Sequence, residues 1–160
     1  EAAEKGAERF ILTDQPDSAK DVEQAIAHYE PDVVIINQMR NMAKGEDSVR
    51  QLDLLAHSLR RVGKKTGTVM FLVTAAREGE TAKDGTIREK PILQAGDVYG
   101  AKTGIPAVAD LMIGWGSSDE MKRNRISVAN IVKNKVVDEG GYGTIYCQID
   151  PAIGIIKGEH

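Results

Sequence analysis

The chain has 160 residues, 41% hydrophobic and 28% charged, with a formal net charge of −3, a composition ordinary for a soluble globular protein with one core. No apolar run approaches the roughly 20 residues of a membrane span, and the acidic opening EAAEKGAERF is not a secretory signal. The single cysteine, Cys147, excludes an internal disulfide and fits a cytoplasmic location, while His28, His57 and His160 have no metal-ligand spacing.

The first element expected is a short strand, RFILT (9–13). SAKDVEQAIAHYE follows with Val22, Ala25, Ile26 and Tyr29 at helical spacing, an amphipathic helix that Pro31 stops. DVVIIN is a continuous β-branched run, the pattern of a strand buried on both faces. Residues 37–47, NQMRNMAKGED, are polar and read as a loop. Ser48 and Gln51 make a capping-box signature. The helix it opens carries Leu52, Leu55, Ala56, Leu59 and Val62 on one face, with Arg60, Arg61, Lys64 and Lys65 toward its C-terminal end, where cations suit the helix dipole.

TVMFLVT (68–74) is a second fully apolar strand. A long polar stretch, AAREGETAKDGTIREKPILQAGD (75–97), follows; loops of that length in compact domains are functional or disordered. A short helix near 101–108, a strand DLMIGW (110–115), a polar turn GSSDEMKRN and a strand ISVANIVKNK (126–135) come next. The end reads as a hairpin: TIYCQID, the turn PAIG, then IIKG. His57 reads as a helix-surface residue, Asp110 as a turn or cap, Trp115 as the end of a strand at an edge, and Cys147 as a packing residue.

Strands alternating with helices, then strands in a row, predict an α/β fold: a mostly parallel sheet flanked by helices, with a C-terminal antiparallel hairpin extension. No repeat or linker divides residues 1–160, which read as a single domain. The lack of an initiator Met predicts a piece of a longer chain. Charge is uneven along the sequence. Residues 1–50 carry 6 basic and 11 acidic side chains, residues 51–135 carry 14 and 9, and residues 136–160 carry 1 and 4. A basic middle between acidic ends is compatible with one phosphate-facing surface, and equally with solvated helix faces.

The ordered set PDVVIIN, GTVMFLVTAAREG, GDVYGAKTGIPAVADLMIGW, ISVANIVKNKVVDEGGYGTIYCQID and GIIKGE resembles the C-terminal part of a RecA-like motor domain. It is most similar to the hexameric replicative DNA helicases, the DnaB type, and especially the helicase half of phage primase-helicases. The resemblance covers residues 9–158. It implies ATP or another NTP with Mg²⁺, single-stranded DNA as partner, a homo-oligomeric ring (a hexamer), no membrane, and a cytoplasmic location, the bacterial host cytoplasm if phage-encoded.

The resemblance also assigns places. Asn37 stands where the family has a carboxylate that orients Mg²⁺ through water; an amide accepts the same hydrogen bond but brings no charge. Thr74 falls at the sensor place, with Ala75, unable to make that bond, beside it. Lys133 and Lys135 match a Lys-x-Arg pair that reaches a neighbouring subunit's nucleotide, Lys135 losing the bidentate fork of the arginine. Arg77, Lys83, Arg88 and Lys90 lie in the stretch matching the central DNA-binding loop, and Arg40 and Lys44 form a second, lesser candidate loop. No GxxxxGK[ST] occurs in the sequence, so the chain lacks the Walker A region and is not expected to hydrolyse ATP alone. The departures at Asn37, Ala75 and Lys135 leave an alternative open: a catalytically degenerate RecA-like nucleotide- or DNA-binding scaffold, or a recombination mediator. An unrelated flavodoxin-like domain would fit the strand pattern but not the ordered segments.

Overall fold

The computed structural model describes residues 10–13, 16–43, 48–76, 79–81, 87–99, 103–137, 141–150 and 152–158. Helix α1 (Ala19–Tyr29) begins where the Ser18 hydroxyl accepts the Asp21 amide and ends where Glu30 turns left-handed, its amide donating to Ile26 O at 2.8 Å. Val22 and Ile26 are its buried positions, while Tyr29 stays half-exposed. Strand β1 (Val33–Ile36) leads to a 3-10 turn (Met39–Met42), and helix α2 spans Ser48–Thr66. That helix starts at Ser48 itself, so the serine is a helical residue there and not the residue preceding the first turn.

Strand β2 (Val69–Leu72) pairs parallel with β1, Val33 opposite Val69 and Ile36 opposite Leu72. Two short strands, β3 (Glu80–Thr81) and β4 (Ile87–Arg88), form an antiparallel hairpin inside the long polar stretch. A 3-10 turn (Ala95–Asp97) and helix α3 (Gly104–Val108) follow. The chain then builds one antiparallel sheet from β5 (Leu111–Gly116), β6 (Ile126–Asn134), β7 (Thr144–Asp150) and β8 (Ile155–Gly158), in sequence order. Helix α4 (Asp119–Arg123) occupies the stretch expected as a polar turn, opened by Ser118, whose hydroxyl accepts the Met121 amide.

The core is built on α2. Leu52, Ala56, Leu59 and Val62 are buried against Val22 and Ile26 of α1, Met39, Val98, and Ile105 and Val108 of α3. Val34, Ile36, Met70 and Leu72 close it from the parallel sheet. The α/β class with parallel strands first and antiparallel strands last is what the structure shows.

Two expectations about the strands also fail. Residues 10–13 of the expected first strand lie in no strand, and Phe10 and Leu12 are exposed; a short apolar run without a partner has no ladder to join. The parallel strands are not buried on both faces either. Val33, Ile35, Val69 and Phe71 are 48%, 62%, 56% and 53% exposed, because the described helices pack on the opposite face.

Burial at Leu59 is complete, so Leu59→Ala should cost about 2–5 kcal/mol of unfolding free energy. Phe71→Ala, on the open face, should cost roughly 1 kcal/mol or less. Urea denaturation of both variants measures the contrast; equal losses would contradict this placement of the core.

Candidate functional site

The carboxyl ends of β1 and β2 lie side by side, and each leads into one of the loops singled out in the sequence. Val73 donates its amide to Ile36 O (3.0 Å) and Met39 returns one to Val73 O (2.9 Å), so the ladder continues just past both strands. Asn37 and Thr74 are thereby brought to one sheet end, Asn37 exposed and Thr74 half-buried. The Asn37–Gln38 peptide is cis. Beyond it the 3-10 turn is anchored by Met39, which is fully buried, and presents Arg40 to solvent.

The stretch after β2 is closed at its base and runs out as a hairpin. Ala76 and Val98 form an antiparallel bridge, and Tyr99 donates its amide to Ala75 O at 3.0 Å. The returning limb is pinned to the antiparallel sheet. Asn130, buried on β6, donates to Leu93 O (2.8 Å) and accepts from Leu93 N (3.2 Å). A Cβ at Gly116 would collide with the Pro91 carbonyl, and one at Gly114 would sit 2.7 Å from Asn130 Oδ1 and 2.8 Å from Leu93 Cβ. Glycine at both places lets the segment lie on the strand backbone. Glu89 caps α4 by accepting the Asp119 amide at 2.8 Å.

The candidate cations divide sharply. Lys90 is held inside the returning limb, its ammonium on Asp97 (2.9 Å) and Gln94 (3.3 Å), so it braces the loop. Arg88 lies in β4, opposite Glu80. Lys44, Arg77 and Lys83 lie outside the described residues. Arg40 places its guanidinium carbon 4.7 Å from the Tyr99 ring centroid, a contact between residues far apart in sequence that no local pattern announces.

Lys133 and Lys135 gather elsewhere, at the C-terminal end of α3. The Lys133 ammonium donates to the Pro106 carbonyl and, at 3.4 Å, to Ala107 O, which also accepts from Lys135 Nζ at 3.4 Å. At the other end of α3 the Asp53 carboxylate lies against Gly104. Anion at the start and cations at the end complement the helix dipole. Arg60 of α2 adds a third cation nearby, paired with Asp110 at 2.7 Å, which gives Asp110 a structural partner. Desolvation, helped by the Lys135 cation and by Arg60, holds the Lys133 ammonium below the usual lysine range, with Asp110 opposing the shift. Among the described residues no contact joins this cluster to Asn37 or Thr74.

Among the described residues no group of three or more His, Cys, Asp or Glu side chains could hold a metal, and Asn37 is neutral. The shallow cleft between α1 and α2, lined by Lys20, Glu23, Ser58, Arg61 and Lys65, is formed by other residues than the strand ends. None of the described helices is long and apolar enough to cross a membrane.

Helices on one face of parallel strands, loops at their carboxyl ends and an antiparallel continuation make up a partial RecA-like fold. In particular, the chain superposes on a solved structure titled "The Structure Of A DnaB-Like Replicative Helicase And Its Interactions With Primase" with a TM-score of 0.66 at 12% identity. The match covers 84% of this chain and 33% of that one, so the chain spans about a third of that helicase chain. No protein-family model matches the chain, and no curated protein is significantly similar to it in sequence.

Two measurements follow from this geometry. Asn130→Ala removes both bonds to Leu93 and should cost about 1–3 kcal/mol, with faster native-state proteolysis between residues 77 and 98; unchanged cleavage would mean the limb is held by other contacts. Lys133 should reach half-maximal amine labelling below pH 10.5, read by mass spectrometry across a pH series. Because the unfolded chain binds that proton more readily, the Lys133 contribution to stability falls as pH drops through the window between its lowered value and 10.5.

Proposed function

We propose that the chain is part of an ATP-dependent DNA helicase motor that translocates on single-stranded DNA during phage or prophage replication. The observation that carries this reading is the superposition on a DnaB-like replicative helicase over 84% of the chain. In α/β sheets ligands bind beyond the carboxyl ends of the strands, and both parallel strands here end in polar loops. In this reading Asn37 accepts a hydrogen bond from a metal-bound water, Thr74 sits at the γ-phosphate sensor place, and the hairpin loop carries the DNA. The phosphate cradle would come from sequence outside these 160 residues, and Mg²⁺ with the nucleotide's own phosphates. Subunits would assemble as a ring, with Lys133 and Lys135 facing the neighbour's nucleotide after leaving the α3 carbonyls.

A second reading has its own support. The Lys133 and Lys135 ammonium groups are spent on carbonyls of their own chain, and Asn37 brings no charge. Both fit a RecA-like scaffold or recombination mediator that has lost catalysis.

NTP hydrolysis by the full-length protein, with and without single-stranded DNA, separates the two. The motor should show DNA-stimulated turnover, and Asn37→Asp should raise it about tenfold, equivalent to ~1.4 kcal/mol of barrier. Silence in both proteins despite measurable nucleotide binding would reject the motor and favour the scaffold.

A further inference from the structure

The cleft between α1 and α2 belongs to the helical layer and shares no residue with the strand ends. Buried Val62 and half-buried Ala19 are its apolar residues, and Lys20, Arg61 and Lys65 line it together with Glu23. Its volume is about 270 Å³, below the usual range of enclosed small-molecule sites, so a shallow contact with a chain segment fits it better.

The helices that carry these cations do not account for all of them. Lys64 and Lys65 lie in the last turn of α2 and complement its dipole. Lys65 is also paired with Glu23 at 2.6 Å. Arg61 lies a turn earlier, where that effect has faded. Lys20 occupies the first turn of α1, the helix end that favours anions and disfavours a cation. Among the described residues neither Lys20 nor Arg61 makes a hydrogen bond or an ion pair; Lys20 only shares the field of adjacent Asp21. Both side chains are exposed. The cleft thus holds two uncommitted cations beside an apolar strip, with one carboxylate already neutralised.

The surroundings decide which anion suits it. Asp17 and Asp21 stand at the start of α1 and Glu30 at its end, so the positive patch is short and flanked by charges that repel a polynucleotide crossing it. A peptide can bring one or two carboxylates to the cations and lay an apolar side chain between them, the usual chemistry of a segment docked along helices.

We propose that the α1–α2 cleft docks a short acidic peptide segment of a partner protein, its carboxylates on Lys20 and Arg61 and an apolar side chain against Ala19 and Val62. The proposal concerns the helical layer and goes beyond both readings of the strand ends, resting on neither.

The test is fluorescence anisotropy on the full-length protein with a labelled peptide of about three helical turns, leucines on one face and glutamates beside them. The peptide should bind, more weakly as salt rises, and its glutamine counterpart should not. Lys20→Ala and Arg61→Ala should each weaken binding about threefold, and the double variant about tenfold. Glu23→Gln should act in the opposite direction, tightening binding about threefold, because it releases Lys65 and removes the carboxylate of the cleft. Melting temperatures serve as the folding control, and the exposed Lys20 and Arg61 should leave them unchanged. No binding of the peptide, or equal binding by the double variant, would overturn the proposal. Binding of a labelled oligo-dT that the peptide displaces and the double variant loses to the same or a greater extent would assign the cleft to nucleic acid and overturn it as well.

Discussion

The apolar stripe of α2 is the surface on which the first two-thirds of the chain assembles. Leu52, Ala56, Leu59 and Val62 recur at helical spacing and are buried in one cluster with residues of α1, α3 and the inner face of the parallel strands. Because β1 and β2 form a two-stranded sheet among the described residues, which is marginal by itself in water, their positions depend on that stripe. So does the geometry of the strand ends: Met39 reaches the same core from the turn after β1, and Val98 reaches it from the base of the loop after β2. The two loops thus share an anchor as well as the Arg40–Tyr99 contact, and displacing one bears directly on the other.

The faces turned away from α2 have a different character. Val33, Ile35, Val69 and Phe71 stay about half-exposed, which leaves unrealised roughly half of the ~1.5–3 kcal/mol that burying each side chain can supply. The antiparallel sheet repeats the pattern. The paired row Trp115, Ala129, Ile145 and the residues Ile113 and Ile156 lie on one face, and the large side chains among them are exposed. Its other face is occupied where Gly114, Gly116 and Asn130 receive the limb that returns from the hairpin. One sheet face therefore positions the candidate nucleic-acid loop, while on its reverse Ile113, Trp115, Ile145 and Ile156 are exposed beside buried Ser127 and Cys147.

Periodicity made the helices legible. The 3.6-residue spacing of Val22 with Ile26, and of Leu52 through Val62, depends only on local geometry, as does the Ser18 cap. The β-branched runs gave the strands and the terminal hairpin for the same reason. What local pattern could not show is which faces acquire neighbours: DVVII reads identically whether one face is covered or two, and Phe10 to Leu12 has strand composition but nothing to pair with. Charge behaves similarly. Lys90 and Arg40 both read as phosphate ligands through the family resemblance, yet Asp97, seven residues on, neutralises the first. The second meets Tyr99, a partner visible only after the fold brings the loops together. Lys133 and Lys135 are singled out by the family resemblance and by no local pattern, and the carbonyls of α3 that receive them belong to a distant segment.

The same distinction bears on how the strand ends would work. A lysine ammonium is a strongly hydrated point charge that takes whichever oxygen is nearest, and in this chain the lysines of the candidate sites with described side chains all have one from their own chain. An arginine on an aromatic ring keeps its donors in a fixed plane while one face is already desolvated. Movement of the turn after Asn37 would carry that plane with it, because Met39 fixes the turn to the core and Arg40 follows Met39 directly. The end of β1 and the base of the hairpin are thus linked by this pair as well as by the Met39–Val73 bond and the shared core. Those contacts require no charge at position 37.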